Sequence, residues 1–329
     1  MDIISGLTAS LVMTIPLIPA SMGFYLALRC LKFPDLTIQG SFVFGVVITA
    51  YFIEQFNSPV YALLFSCIGG VFLGSLTGLL HVKLKVPSFA SGIITSFFVT
   101  TLNYYILQKS FNSSDQIIER NLSNRGFFEY FYLLDYNSKT LGPYWFYTIL
   151  SVTIVCVILL FLVWLVVRSD FGRKFSMFGN NRQVAAIYSN KSDYYMVFGL
   201  GFTNMLVGFS GFLCAQVFKN ADISSGGYIL IPLLASVVIG EFVINIVKKK
   251  NSLSFESKPL LSSFWGIASA PFIGFFLYNL IVLILSTVIL PSVQTSENYT
   301  KYAISGFLIL SIMFFNKKYS TNSNQDELI

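Results

Sequence analysis

The residues able to do chemistry in this chain are few, and the densest set lies in "RCLKFPDLTIQGSF", Arg29 to Phe42. There Asp35 follows a proline and precedes Thr37, Gln39 and Ser41, all within a very apolar region. A carboxylate among membrane spans costs about 2.5–3.5 kcal/mol on insertion scales, so it must face a bundle interior or water and take a partner. Pro34 supplies a helix stop, and Asp35 or Thr37 is placed to accept from the free amides of the next helix start. Two readings stay open. A broken helix would turn backbone dipoles toward a polar pathway, whereas a plain connection would let Asp35 pair with Arg29 or Lys32. Glu241, after Gly240 in "VVIGEFVIN", is a second acid of this kind, better suited to stabilising a chain break than to touching a solute. Asn103 and Asn204 are single amides on apolar spans. Like Gln39 and Ser41, they either line a path or bond helix to helix.

Nothing points to catalysis. The single histidine, His81, ends a span beside Lys83 and Lys85, and Cys30, Cys67, Cys156 and Cys214 lie in or beside apolar segments without paired spacing. These read as a boundary residue and as small buried hydrophobes, so neither a metal site nor a disulfide framework is expected. No GxxxxGK[ST] phosphate loop is present, so this chain is not expected to hydrolyse a nucleotide itself.

The elements that must position these residues follow from composition. The chain has 329 residues, 55% hydrophobic and 11% charged, with a mean hydropathy of +0.71, against about 25% charged in soluble domains. It is therefore an integral membrane protein. Its formal charge of +6 sits in small basic groups at the ends of apolar runs, the pattern that sets membrane topology rather than binds nucleic acid. Nine apolar segments are expected, Ile3 to Leu28, Ile38 to Ile53, Val60 to Leu80, Val86 to Leu107, Tyr144 to Val167, Tyr194 to Ala215, Gly227 to Val247, Leu261 to Leu290 and Tyr302 to Phe315. Backbone groups in lipid must pair within their own segment, so the class is an all-α polytopic bundle. With the N-terminus outside, Arg29/Lys32, His81/Lys83/Lys85, Arg168 to Lys191, Lys248 to Lys258 and Lys317/Lys318 all fall inside, which puts the C-terminus in the cytoplasm.

Some details stay conditional. The second segment is short for a span unless "FPDLT" also lies within the membrane, and the eighth is long enough to bend near Pro271 and Gly274. The extracytoplasmic stretch 108–143 is either a surface helix or a loop. Residues 1–316 form one transmembrane domain, followed by a polar, disordered tail, 317–329. The small residues of "GGVFLGSLTG" and "GFSG" are expected to let helices approach closely.

The longest inner connection, the cytoplasmic segment 168–193, contains "NNRQVAAIY", a short helix that Asn180 or Asn181 can cap. It is either a helix that transmits force from a soluble partner or an ordinary basic loop. This segment resembles the coupling region of bacterial ATP-binding cassette (ABC) importer permeases of the branched-chain amino acid and ribose type. The likeness continues through Gly208, Ser210, Gly211, Ala221, Asp222, Gly226, Gly227, Ala235, Ile239, Gly240 and Glu241. "LR…PDLT…GS" at the start is similar to a branch linked to tryptophan or other amino-acid-like substrates. It covers about Gly6 to Glu241, and departs at Ser189, in the long outer stretch and beyond Glu241.

The resemblance implies an importer half. Phe178, Gly179, Asn180, Asn181, Arg182, Ala185, Ala186 and Ile187 would sit against a cytoplasmic ATPase, which would bind the ATP and magnesium, with no cofactor in this chain. A second permease copy, an extracytoplasmic solute-binding protein and membrane lipid would be the other partners, with no nucleic acid. The location implied is the bacterial cytoplasmic membrane, multi-pass. The competing class, a secondary transporter or channel working without ATP, calls for more deep charges and an inverted repeat. No repeat is legible between the halves on inspection of the sequence. A membrane enzyme lacks its constellation.

Overall fold

The structure is a computed structural model that describes residues 14–111, 119–122, 134–135, 140–141, 145–170, 172–174, 192–250, 264–284 and 306. A 3-10 turn, Ile15–Leu17, leads into helix α1, Ile18–Arg29. Pro16 and Pro19 account for that turn, since each removes a donor and is tolerated only in a first helical turn. There follow α2 (Thr37–Phe56), α3 (Pro59–Lys83), α4 (Ser88–Ser110), α5 (Trp145–Arg168), α6 (Ser192–Phe218), α7 (Ser225–Lys250) and α8 (Phe264–Ile284). Short strands are β1 (Glu119–Asn121), β2 (Leu134–Asp135), β3 (Thr140–Leu141) and β4 (Asn220–Asp222); β1 pairs with β4 and β2 with β3, both antiparallel.

Among the described residues six helices, α2 to α7, are long and apolar enough to cross a membrane, and α1 and α8 contain shorter apolar helices. The ninth expected segment lies outside the described residues apart from Gly306. The second expected segment gains length at both ends: α2 has 20 residues, begins at Thr37 and is closed by Asn57 in the left-handed region. The eighth is one helix through Pro271. Within the stretch 108–143, α4 runs on to Ser110 and Glu119–Asn121 is a strand paired with β4, while most of its other residues lie outside the described ones. The tail 317–329 lies outside the described residues.

Helix α6 is the centre of the bundle, with 78% of its spanning window buried; α2 follows at 72%, whereas α5 at 22% turns Ile154, Val157, Ile158 and Phe161 outward. Small residues make the central contacts, as expected. A methyl on Gly70, Gly74 or Gly78 of α3 would strike the α6 backbone at Asn204, Leu200 and Val197, and one on Gly45 of α2 would strike Gly208 of α6. Without a hydrophobic drive between helices in lipid, such close backbone approach is what holds them.

Candidate functional site

Asp35 is fully buried, and its partners are Thr37 and Asn204, not Arg29 or Lys32. Its Oδ1 accepts from the Thr37 backbone N–H (2.9 Å), one of the free amides at the start of α2, and its Oδ2 accepts from Asn204 Nδ2 (2.6 Å). The network extends from there. Ser41 Oγ donates to Asn204 Oδ1 (2.7 Å), Asn204 Nδ2 also donates to the Leu200 carbonyl (3.0 Å), and the Thr37 and Thr77 hydroxyls share a bond of 2.6 Å. All five side chains are fully buried. Four candidates read from sequence, Asp35, Thr37, Ser41 and Asn204, thus form one polar cluster that ties α2 to α6 and, through Thr77, to α3. Asn204 lies about 18 Å along α6 from Ser192, at about 1.5 Å per residue. The chain between α1 and α2 therefore returns into the bundle, with Asp35 buried at the level of Asn204 on α6.

The other candidates separate. Asn103 on α4 is fully buried and reaches the Gly40 carbonyl through Nδ2 at 3.4 Å, while its Oδ1 has no hydrogen-bond partner among the described residues. Gln39 points elsewhere, into a cleft of about 360 Å³. It is lined by Leu36 and, from helix α2, Gln39, Gly40 and Val43, by Ile93, Ser96, Phe97, Thr100 and Tyr104 of α4, and by Ile223, Ser224, Gly226 and Gly227 of the chain entering α7. On α2 and α4 these positions recur every three or four residues, so each helix presents one continuous stripe.

Glu241 is corrected. It stabilises no chain break, because α7 is helical from Ser225 to Lys250; instead it forms a two-pronged ion pair with Arg29 at the end of α1. Arg29 is half exposed, so the pair contributes on the order of 1 kcal/mol or less. Exchanging the charges, Arg29→Glu with Glu241→Arg, is expected to recover most of the small fall in unfolding temperature that either single change produces in detergent. Failure of the double variant to recover would mean that the pair does not act as a unit.

Asp222 was read only as a family-like residue and Ser224 was not singled out, yet the structure gives the two the geometry of Asp35 and Thr37. Asp222 Oδ1 accepts from the Ser224 N–H at 2.7 Å, at the start of α7, and also from Ser224 Oγ at 2.6 Å. The signal in sequence is Lys-x-x-Asp-[Leu/Ile]-[Thr/Ser]-x-x-Gly, present at Lys32 to Gly40 and again at Lys219 to Gly227. Both lysines have positive φ, 51° and 50°. Asn57 and Lys85 share that conformation after other helices, so the backbone turn alone would not establish a repeat; the capping aspartate and the matched pattern do.

The coupling residues Phe178, Gly179, Asn180, Asn181, Arg182, Ala185, Ala186 and Ile187 lie outside the described residues. The flanks of the segment are described. Arg168 sits over the Trp164 ring (5.2 Å), Asp170 pairs with Arg173, and Lys174 sits over the ring of Tyr195 in the first turn of α6 (5.8 Å).

Comparison with known proteins adds a family model described as "Branched-chain amino acid transport system / permease component", which matches residues 6–313. The "Tyrosine transport system permease protein" of Clostridioides difficile (strain R20291) is 28% identical over 262 residues, covering 80% of this chain and 79% of that protein. The "Uncharacterized protein RP368" of Rickettsia prowazekii (strain Madrid E) is 25% identical over 266 residues, covering 80% and 85%. No solved structure matches.

Proposed function

The chain belongs to the branched-chain amino acid transport system permease family, and from that premise we infer that, with a second copy of itself, it builds the passage of an ABC importer for an amino acid. It is a membrane transport subunit and not an enzyme. The observation that carries the reading is the family match across nearly the whole chain, on a bundle in which a fully buried polar cluster ties the start of α2 to α6 and α3. The C. difficile relative, named for tyrosine transport, supports an amino-acid cargo and within that class favours an aromatic one. An extracytoplasmic binding protein delivers the solute, and a cytoplasmic ATPase supplies the energy that this chain has no loop to harvest. The location is the bacterial cytoplasmic membrane.

In this reading the segment joining α5 to α6 receives the ATPase stroke. Helix α6 begins at Ser192, directly after that segment, and is packed on α1, α2 and α3. Asn204 carries its movement to the start of α2 through Asp35 and Ser41. Asp35, Thr37, Ser41 and Asn204 act as positioning residues, Asn103 backs the cleft wall at Gly40, and Gln39 faces the solute. An inverted repeat occurs in secondary transporters as well, so family membership, not symmetry, decides for an ATP-driven importer.

The test is purification and uptake. The chain is expected to co-purify with an ABC ATPase and to accumulate a labelled amino acid in proteoliposomes only with ATP and a binding protein. Ala185→Glu with Ala186→Glu is expected to keep ATP turnover while lowering uptake about tenfold or more, the size of a typical coupling free energy. Active transport by the chain alone, with no ATPase attached, would overturn the assignment.

A further inference from the structure

The repeated break is inverted. Helix α1 runs against α6, with Pro16 beside Ser210 and Gly23 beside Thr203, while α2 runs along α6, with Ser41 bonded to Asn204 and Gly45 touching Gly208. Helix α7 runs with α1, since Ser21 meets Ser236 and Arg29 meets Glu241. The unit α1–break–α2 and the unit α6–break–α7 therefore traverse the bundle in opposite senses. Each break is capped by its own aspartate. Transporters built on inverted units bind their solute near the midplane, where discontinuous helices of the two units meet. Here the two breaks meet at one place, the cleft, where Gly226 approaches the Gln39 carbonyl and the Val43 side chain.

We propose that this cleft is the solute's contact site within the membrane, and that it takes a net-neutral amino acid carrying one large apolar or aromatic group. The proposal rests on the permease reading and deepens it. The volume of about 360 Å³ lies in the range that small-molecule sites use, about 300–1,000 Å³. Among the described residues, no Asp, Glu, Lys, Arg or His lines it. Both nearby carboxylates are already committed, Asp35 to Thr37 and Asn204, and Asp222 to Ser224. A solute with net charge would therefore enter without a counter-charge, at the price that an unpaired charge carries in an apolar surrounding. The Gln39 amide and the Ser96 and Tyr104 hydroxyls make no hydrogen bond among the described residues and are left for the ammonium and carboxylate of a zwitterion. Phe97, Leu36 and Ile223 supply the apolar wall.

Gly227 provides a test that the fold tolerates. A Cβ there meets nothing within 4 Å, no glycine has positive φ among the described residues, and a larger side chain would extend into the cleft that Gly227 lines. Gly227→Phe is expected to leave ATPase co-purification and ATP turnover unchanged while lowering uptake of labelled tyrosine about tenfold or more. In a second arm, Thr100→Cys is placed in a Cys67→Ala background, the other native cysteines being buried. Labelling by a water-soluble thiol reagent is expected to slow when tyrosine is present and to be unaffected by lysine or glutamate at the same concentration. Wild-type uptake by Gly227→Phe, no protection by tyrosine, or equal protection by lysine or glutamate would each overturn the proposal. Wild-type complexes that accumulate no amino acid with ATP would instead overturn the permease reading, and the labelling arm would still decide the cleft.

Discussion

Replacing Asp35 by leucine is expected to remove folded protein and uptake together, whereas Asp35→Asn is expected to keep both within a few-fold of wild type. The two substitutions differ in what they leave behind. Leucine strands the Thr37 N–H and one Asn204 amide N–H in a fully buried site. Each buried donor left unsatisfied costs about 1–3 kcal/mol, so the pair removes about 2–6 kcal/mol from a native stability that is only about 5–15 kcal/mol. Asparagine has one acceptor oxygen for two donors, but the site can adapt. The Asn204 amide can turn over, offering its carbonyl to the new amide and its N–H group to Ser41 Oγ, which accepts as readily as it donates, at the loss of the Asn204 bond to the Leu200 carbonyl. Charge is lost while the connection survives.

The measurement pairs thermal unfolding in detergent with ATP-driven uptake in proteoliposomes. Folded, ATPase-bound Asp35→Asn protein that transports nothing would sink the positioning role, because only the charge would then have been removed. It would place Asp35 on the solute's route. Thr37→Val gives an internal comparison. It keeps the backbone N–H that Asp35 accepts and loses the hydroxyl that bonds Thr77, so its effect is expected to be near that of one neutral hydrogen bond, about 0.5–1.5 kcal/mol.

How far the sequence carried these inferences differs from residue to residue. Spans were legible because lipid imposes one rule on every backbone group, and Asp35 stood out because proline and a buried acid are each rare in a span, though whether it broke a helix or sat in a plain connection stayed open. The partner of Asp35 was not, since Asn204 is remote in sequence and a lone amide on an apolar helix has no periodic signature. Glu241 was misread for the opposite reason. Gly240 beside an acid suggests a break, but the helix runs on, Gly274 of α8 packs against its backbone at Ser236 and Gly240, and the acid is answered by Arg29. The repeat escaped because only the Lys, Asp and Gly positions of its nine are identical while the rest are matched in type or unmatched; the equivalence became visible through two hydrogen bonds, Asp35 to Thr37 and Asp222 to Ser224.

Two adjacent glycines on α3 are expected to differ in how much a methyl costs. Gly70→Ala places its methyl against the backbone of Asn204 and Met205 on α6, whereas Gly69→Ala places it against the Phe44 ring. A ring can rotate away; the main chain of a central helix cannot, because α6 is held from three sides by α1, α2 and α3. Overpacking of this kind costs about 1–3 kcal/mol and more where nothing yields. The same movement would also pull Asn204 from Asp35 and Ser41, whose bonds depend on the registry of α6 against α2. Gly70→Ala is thus expected to lower the unfolding temperature well beyond Gly69→Ala and to lower uptake with it, and Gly45→Ala, which meets the Gly208 backbone, is expected to behave like Gly70→Ala. Equal tolerance at Gly69 and Gly70 would show that α6 can shift without harm. That result would remove the basis for a rigid α2–α3–α6 unit, and with it the route by which an inner stroke at the start of α6 reaches the cleft.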